Sequence, residues 1–321
     1  MLTASNGICI AKDSITIGVN QVPVAGVSAP QSTICAGTPI TLNATSSIAG
    51  VGYTWFVGQN MTGDFTASPT FTPNVTTTYV VKVNNNDCID TASVTVNVNP
   101  VPQVTTTTTP VCAGATATLV GTPTTSITGT TYNWSNSAAP NLGNQLTLDV
   151  TPSATTIYTL TATAGICQSS STVELVVNQY PQFSAGPDRQ ICAGQATILL
   201  STDTDPISGV TYTWSPATGL SATDILNPYA GPLGDVTYYG VATANGCSTY
   251  DTVNVITKPA AVVNAGPDVI LCPGVASVTL TGTETSGLSG ITYEWFPEGG
   301  ATVSTDLVTQ VSPSVIARHC R

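Results

Sequence analysis

Eight of the nine cysteines fall into two interleaved series that share one long, even step. Cys35, Cys112, Cys192 and Cys272 form the first series; Cys9, Cys88, Cys167 and Cys247 form the second. A Tyr-x-Trp triplet keeps the same step at Tyr53/Trp55, Tyr132/Trp134, Tyr212/Trp214 and Tyr293/Trp295. A tyrosine at a constant distance before a second-series cysteine recurs at Tyr79, Tyr158 and Tyr238. The step is too long for helical solenoids or propeller blades and suits one small sandwich per repeat.

Within a repeat the signals are those of short strands between turns. Ile40 and Leu42, or Ala117 and Leu119, alternate after the first-series cysteine. The Tyr-x-Trp segment follows a Gly/Ser-rich turn, then comes a tyrosine segment such as Thr78-Tyr79-Val80. The last segment has one apolar face: Val94, Val96, Val98; Val173, Leu175, Val177; Ile15, Ile17, Val19. Alternation of this kind packs one face and wets the other. No stretch has helical periodicity. The expected fold is all-β: tandem immunoglobulin-like β-sandwich repeats of about 80 residues in an elongated array. Joints at Asn99-Pro100, Tyr180-Pro181 and Lys258-Pro259 set the divisions. Residues 1–22 carry the last two strands of a repeat, 23–100, 101–180 and 181–258 are whole repeats, and 259–321 is an incomplete one. The recurring Trp is expected in the core rather than stacked on a carbohydrate, because it holds the same place in every repeat.

Only 7% of residues are charged, and the net charge is −11. That sign opposes nucleic acid and anionic membranes, which need Lys/Arg clusters. No apolar run approaches the roughly 20 residues that span a bilayer, so no membrane insertion is expected. The regular cysteines, without any C-x-x-C, point to structural disulfides in an oxidising, extracellular setting. The in-repeat pairs Cys35–Cys88, Cys112–Cys167 and Cys192–Cys247 close loops of nearly equal length. Such loops are worth about 4 kcal/mol each in the chain-entropy account. Buried free thiols are the alternative.

The segments Ile191-Cys192-Ala193-Gly194, Tyr212 to Leu220, Asn245-Gly246-Cys247 and the Ala-Gly-Pro-Asp words at 185–188 and 265–268 carry a resemblance. The chain resembles the PKD-like and Ig-like tandem repeats of large Bacteroidetes surface proteins, among them gliding-motility adhesins and other type IX secretion cargo. The resemblance implies a cell-surface or extracellular protein. It also implies an O-glycosylation sequon, Asp-Ser/Thr before an apolar residue, with Ser14, Thr91 and Thr252 as acceptors at one repeat position. A turn aspartate entering a strand is the plain alternative.

Leu2 to Cys9 aligns with Leu160 to Cys167, and Ser312-Pro313-Ser314 with Thr151-Pro152-Ser153. The first segment therefore reads as strands without a sandwich, and the last repeat as a sandwich without its final strands. Two expectations follow. In one, the chain is a structural subunit of an extracellular filament, polymerising head-to-tail with copies of itself by donor-strand complementation. Cys9 then faces Cys272 of the neighbouring copy in an intermolecular disulfide. In the other, the chain is a stalk segment of an adhesin that binds surface glycans, with Phe56, Phe296 and Tyr250 as the aromatic candidates. Cys272 has Cys320 as an alternative partner within the chain.

No catalytic, metal or cofactor site emerges. His319 is the single histidine and lacks a nucleophile and orienting partner. The carboxylate pairs Asp203/Asp205 and Glu294/Glu298 do not recur between repeats, and the glycines are isolated turn formers. The chain is expected not to be an enzyme.

Overall fold

The computed structural model describes residues 1–204, 207–272, 274–297 and 300–312. Among these residues the regular elements are all strands. The chain divides into two compact units, Met1–Asn178 and Gln179–Arg321.

The first whole repeat shows the design. Its larger sheet runs Thr33–Cys35, Cys88–Asn99, Thr77–Asn85, Gly52–Val57, Asn60–Met61. Facing it, Ala25–Ser28 pairs with Asn43–Ser46, and Ile40–Thr41 with Thr70–Phe71. Between the sheets lie Ile34, Ile40, Leu42, Trp55, Tyr79, Val81, Val83 and Val96, all buried. Alternation produces this division: along Thr77–Asn85, Tyr79, Val81 and Val83 point inward. Several outward positions are threonines, whose hydroxyls bond across strands, as at Thr78–Thr95 and Thr41–Thr70, both 2.8 Å. A surface so poor in charge thus gains cross-strand pairing from neutral side chains.

Repeats two and three keep the plan. Thr131–Asn136, Thr156–Ala164 and Cys167–Leu175 form one sheet of the second, opposite Val104–Thr107, Ala117–Pro123 and Thr147–Val150. In the third, Arg189–Cys192, Cys247–Lys258, Val236–Ala244 and Thr211–Ser215 form one sheet. Phe183–Ser184 pairs with Thr202–Asp203, and Thr197–Ile198 with Tyr229–Ala230, opposite it. The Ala-Gly-Pro-Asp word has a backbone cause here. Gly186 has φ +83°, and a Cβ on it would stand 2.4 Å from the Leu200 carbonyl oxygen, so only glycine fits.

The Trp is a core residue, as expected. Trp55, Trp134 and Trp214 are buried, and each donates its indole N–H to a carbonyl eleven residues on: Thr66 at 2.9 Å, Gln145 at 3.1 Å, Ile225 at 3.0 Å. Trp295 donates to Asp306 at 2.9 Å in the same way, but is only half-buried. Replacing Trp134 with Ala is expected to cost about 3–5 kcal/mol. Differential scanning calorimetry of the whole chain should show one transition lowered, whereas Trp295→Ala should cost far less.

Candidate functional sites: the repeat junction and the open half-sandwich

Cys35 is bonded to Cys167, with a Cα–Cα distance of 5.6 Å and a sequence separation of 132. This corrects the in-repeat pairing. Cys88 and Cys192 are free, and Cys112 and Cys247 are each disulfide-bonded, so none of the three expected bridges forms. The reason is the sandwich itself. Cys88 opens the strand Cys88–Asn99, while Cys35 lies beside Asn99 at that strand's far end, in parallel pairing. Eleven steps at about 3.3 Å put the two ends roughly 36 Å apart, against the ~7 Å limit for a disulfide. Cys112 beside Asn178 and Cys192 beside Lys258 are separated in the same manner from Cys167 and Cys247.

Each second-series cysteine follows the turn of the strand hairpin. In repeat three, Asn245 and Gly246 take φ values of 50° and 81°, a turn with two left-handed residues that Asn-Gly favours. The turn sets Cys247 at the hairpin tip, where Ala244 pairs with Cys247. Cys167 at the equivalent tip lies against the end of the preceding repeat, its Sγ 3.8 Å from the Asn99 carbonyl oxygen. The disulfide therefore staples the foot of repeat one to the hairpin tip of repeat two.

Residues 259–312 fold as half a sandwich among the described residues. Val263–Asn264 pairs with Thr283–Glu284, and Val278–Thr281 with Val308–Val311. The Tyr293-Glu294-Trp295 segment has a bridge from Trp295 to Ser304. In repeat three the same segment carries the Val236–Ala244 strand. A groove of about 250 Å³ opens beside this segment, lined by Val263, Ala265, Gly282, Tyr293, Trp295 and Leu307.

At the other end of the sequence, Leu2–Ser5 pairs with Ile10–Asp13 in register Leu2↔Asp13 to Ser5↔Ile10. Its counterpart in repeat two pairs Leu160↔Ser171 to Thr163↔Gln168, the same register carried forward by two repeats. Ile17 is 80% exposed, whereas its equivalents Val96 and Leu175 are fully buried. Ile15 and Val19 are likewise exposed.

Ser14, Thr91 and Thr252 are all exposed, but they do not share one repeat position. Asp251 pairs with Gly240 and Asp13 with Leu2, at equivalent rungs, while Asp90 pairs with Val83, nearer the hairpin tip. The aspartates have structural work. Burial pushes the Asp251 carboxyl up, but hydrogen bonds from Ala185 N, Thr252 N and the Ser184 hydroxyl outweigh it and hold it below the usual range. Asp90 accepts from Ala25 N at 2.8 Å, which, with the Thr91 N–H, lowers it too. Both carboxylates pin the first strand of their repeat to the last.

The carboxylates weighed for catalysis are engaged elsewhere. Asp203 accepts a hydrogen bond from the Tyr212 hydroxyl at 2.6 Å, and Glu294 accepts from Thr302. Asp205, Glu298, His319 and Cys320 lie outside the described residues. Of the aromatic candidates, Phe56 is half-buried while Phe296 and Tyr250 are exposed. Among the described residues, no group of three His, Cys, Asp or Glu could hold a metal, and no helix is long and apolar enough to cross a membrane.

Residues 23–100 match the family model described as "Ig-like domain CHU_C associated". No curated protein matches the chain. Among solved structures, the titin I-band fragment I67–I69 is 12% identical, with TM-score 0.35, covering 75% of this chain and 100% of its own. Three N-terminal domains of the bacteriophage RB49 outer capsid protein Hoc are 13% identical, TM-score 0.36, covering 74% and 100%. The N-terminal eight Ig domains of the Down syndrome cell adhesion molecule are 12% identical, TM-score 0.29, covering 97% of this chain and 53% of theirs. At these scores nothing about function follows from them. Residues 23–100 thus match an Ig-like domain and the following repeats keep its strand plan, a tandem Ig-like fold typical of structural and adhesion proteins; disulfides such as Cys35–Cys167 are characteristic of secreted and extracellular proteins.

The staple and the tyrosine–aspartate pair can each be tested in solution. In the chain-entropy account a loop of this size is worth about 5 kcal/mol. Cys35→Ser should therefore lower the melting of the first two repeats, while Cys88→Ser leaves it unchanged. Peptide mapping without reductant should recover a Cys35–Cys167 peptide. Separately, the Tyr212 hydroxyl is pushed up to about 12 by burial, by its hydrogen bond to Asp203 and by that carboxylate's charge. A folded pKa above the unfolded value near 10 leaves its contribution intact below about pH 10 and removes it as pH rises through about 12. Tyr212→Phe should flatten that alkaline loss in urea titrations.

Proposed function

We propose that the protein is a structural subunit of an extracellular filament, in which the hairpin at residues 2–13 and the extended segment 14–19 of one copy complete the half-sandwich at 259–312 of the next. The observation that carries this reading is the match between the two parts. The free hairpin holds the register of the hairpins inside whole repeats, and among the described residues the half-sandwich has no such hairpin beside Trp295. By equivalence to Tyr132↔Ala162 and Trp134↔Leu160, Ala4 would sit opposite Tyr293, and Leu2 opposite Trp295. Burying Ile17, whose equivalents Val96 and Leu175 are fully buried, contributes about 1.5–3 kcal/mol, and Ile15 and Val19 add less, since Val94 and Val98 are half-buried in a whole repeat. Added strands also satisfy the open backbone edge along Tyr293-Trp295. Because donor and acceptor are different surfaces, the contact does not close and propagates into a fibre.

Electron microscopy of the purified chain tests this. Fibres are expected, and Ile17→Asp, which places a charge at a buried position of the completed sandwich, should abolish them without altering the melting of the whole repeats. Monodisperse particles from the unsubstituted chain would overturn the reading.

One observation favours the adhesin alternative. Tyr239 and Tyr250 are exposed on neighbouring strands of repeat three, where repeat one carries Val80 and Thr91 and repeat two Thr159 and Ser170. An aromatic pair confined to one repeat offers flat apolar faces with polar tips, which suits stacking on sugar rings. A glycan array with Tyr250→Ala as control would separate it from a purely structural role.

A further inference from the structure

Among the described residues the free cysteines are Cys9, Cys88, Cys192 and Cys272, and they fit the kind of junction that Cys35 and Cys167 build. Cys88 stands at a hairpin tip as Cys167 does, and its thiol lies 3.6 Å from the Asn20 carbonyl oxygen, as Cys167 Sγ lies 3.8 Å from that of Asn99. Asn20 and Asn99 are equivalent, one repeat apart, and the contact is reinforced by Asn85 Nδ2 donating to Gln21 O at 2.9 Å. Thr33–Cys35 pairs beside Asn99 and brings a first-series cysteine to that junction; among the described residues no strand does the same beside Asn20. Conversely, Cys192 is exposed and free beside Lys258, at the foot of repeat three. Among the described residues no hairpin-tip cysteine of a following repeat stands there.

We infer that two disulfides, Cys192 to Cys9 and Cys272 to Cys88, join each copy to the next. This rests on the filament reading and specifies its chemistry. When the hairpin of an incoming copy completes residues 259–312, Cys9 is that sandwich's hairpin tip and meets Cys192 at the foot of repeat three. The segment around Cys272 pairs beside Asn20 of the incoming copy, where Cys88 of that copy waits. The expected Cys9–Cys272 link does not form, because those two residues occupy opposite ends of one completed sandwich, roughly 36 Å apart by the strand length that separates Cys35 from Cys88. Each bridge forms as two thiols lose two protons and two electrons to an oxidised low-molecular-weight disulfide, which leaves as two thiols. Both bonds follow the rule that Cys35–Cys167 sets: a foot cysteine takes the hairpin tip of the repeat that follows.

Mixed ¹⁴N and ¹⁵N chains, assembled with oxidised glutathione and mapped by mass spectrometry without reductant, test this. Hybrid-mass peptides joining Cys192 to Cys9 and Cys272 to Cys88 are expected, with a ladder on non-reducing gels. Cys9→Ser should remove the first peptide and leave the second. Cys88→Ser with Cys192→Ser should collapse the ladder to the monomer band while fibres persist in the microscope. Fibres without a ladder, or with Cys9–Cys272 peptides, would overturn the disulfide assignment and leave the filament standing. A chain with neither fibres nor hybrid peptides would overturn both.

Discussion

The indole of each Trp strand does two things at once. It fills the space between the sheets, and its N–H holds a carbonyl eleven residues later, as Trp55 does to Thr66 and Trp134 to Gln145. A buried N–H without a partner costs about 1–3 kcal/mol, so the loop that brings that carbonyl is fixed by the ring. A strand of the facing sheet follows the loop, so its position depends on the same bond. Around Trp295, where the described residues supply no flanking hairpin, the hydrogen bond survives and the burial does not. The anchor is therefore local, and it holds without the complete sandwich.

Much of the fold was legible in the residues because both signals of a sandwich are periodic. The long step marks the repeat and the two-residue alternation marks the strands, and Leu42, Val96 and Leu175 sit buried where alternation put them. The core role of the Trp was legible from its constancy. Disulfide topology was not, because spacing gives the number of cysteines per repeat but not the end of the sandwich each occupies. One half of the answer was in reach: Asn245-Gly246 before Cys247 announces a hairpin tip. The other half, that Cys35 pairs beside Asn99, is a parallel contact between strands at opposite ends of the repeat's sequence, and no local pattern encodes it. The aspartates misled for a related reason. Asp90 and Asp251 look alike in sequence, yet stand on different rungs of the hairpin ladder.

The surface obeys the same preference for neutral pairing. Threonine and asparagine contacts hold the outward faces, as at Thr237 with Asn254, 2.7 Å. Such contacts are indifferent to salt, which at 0.1 M screens exposed charges over about 10 Å. The carboxylates of Asp188 and Asp149, which accept from Asn254 and Thr118, are the part of this outward pairing that salt can weaken.

The staple between Cys35 and Cys167 also changes how the chain answers to pulling. Tension travels along covalent bonds, and the disulfide offers it a shorter path. The chain it encloses could otherwise release roughly 450 Å of slack if its sandwiches came apart. With the bond in place none of that contour length is released, even when the β-structure inside the loop gives way. The enclosed loop thus adds no length under load: strain is passed to the segments outside it and to the neighbouring repeats, until a reductant cuts the bond.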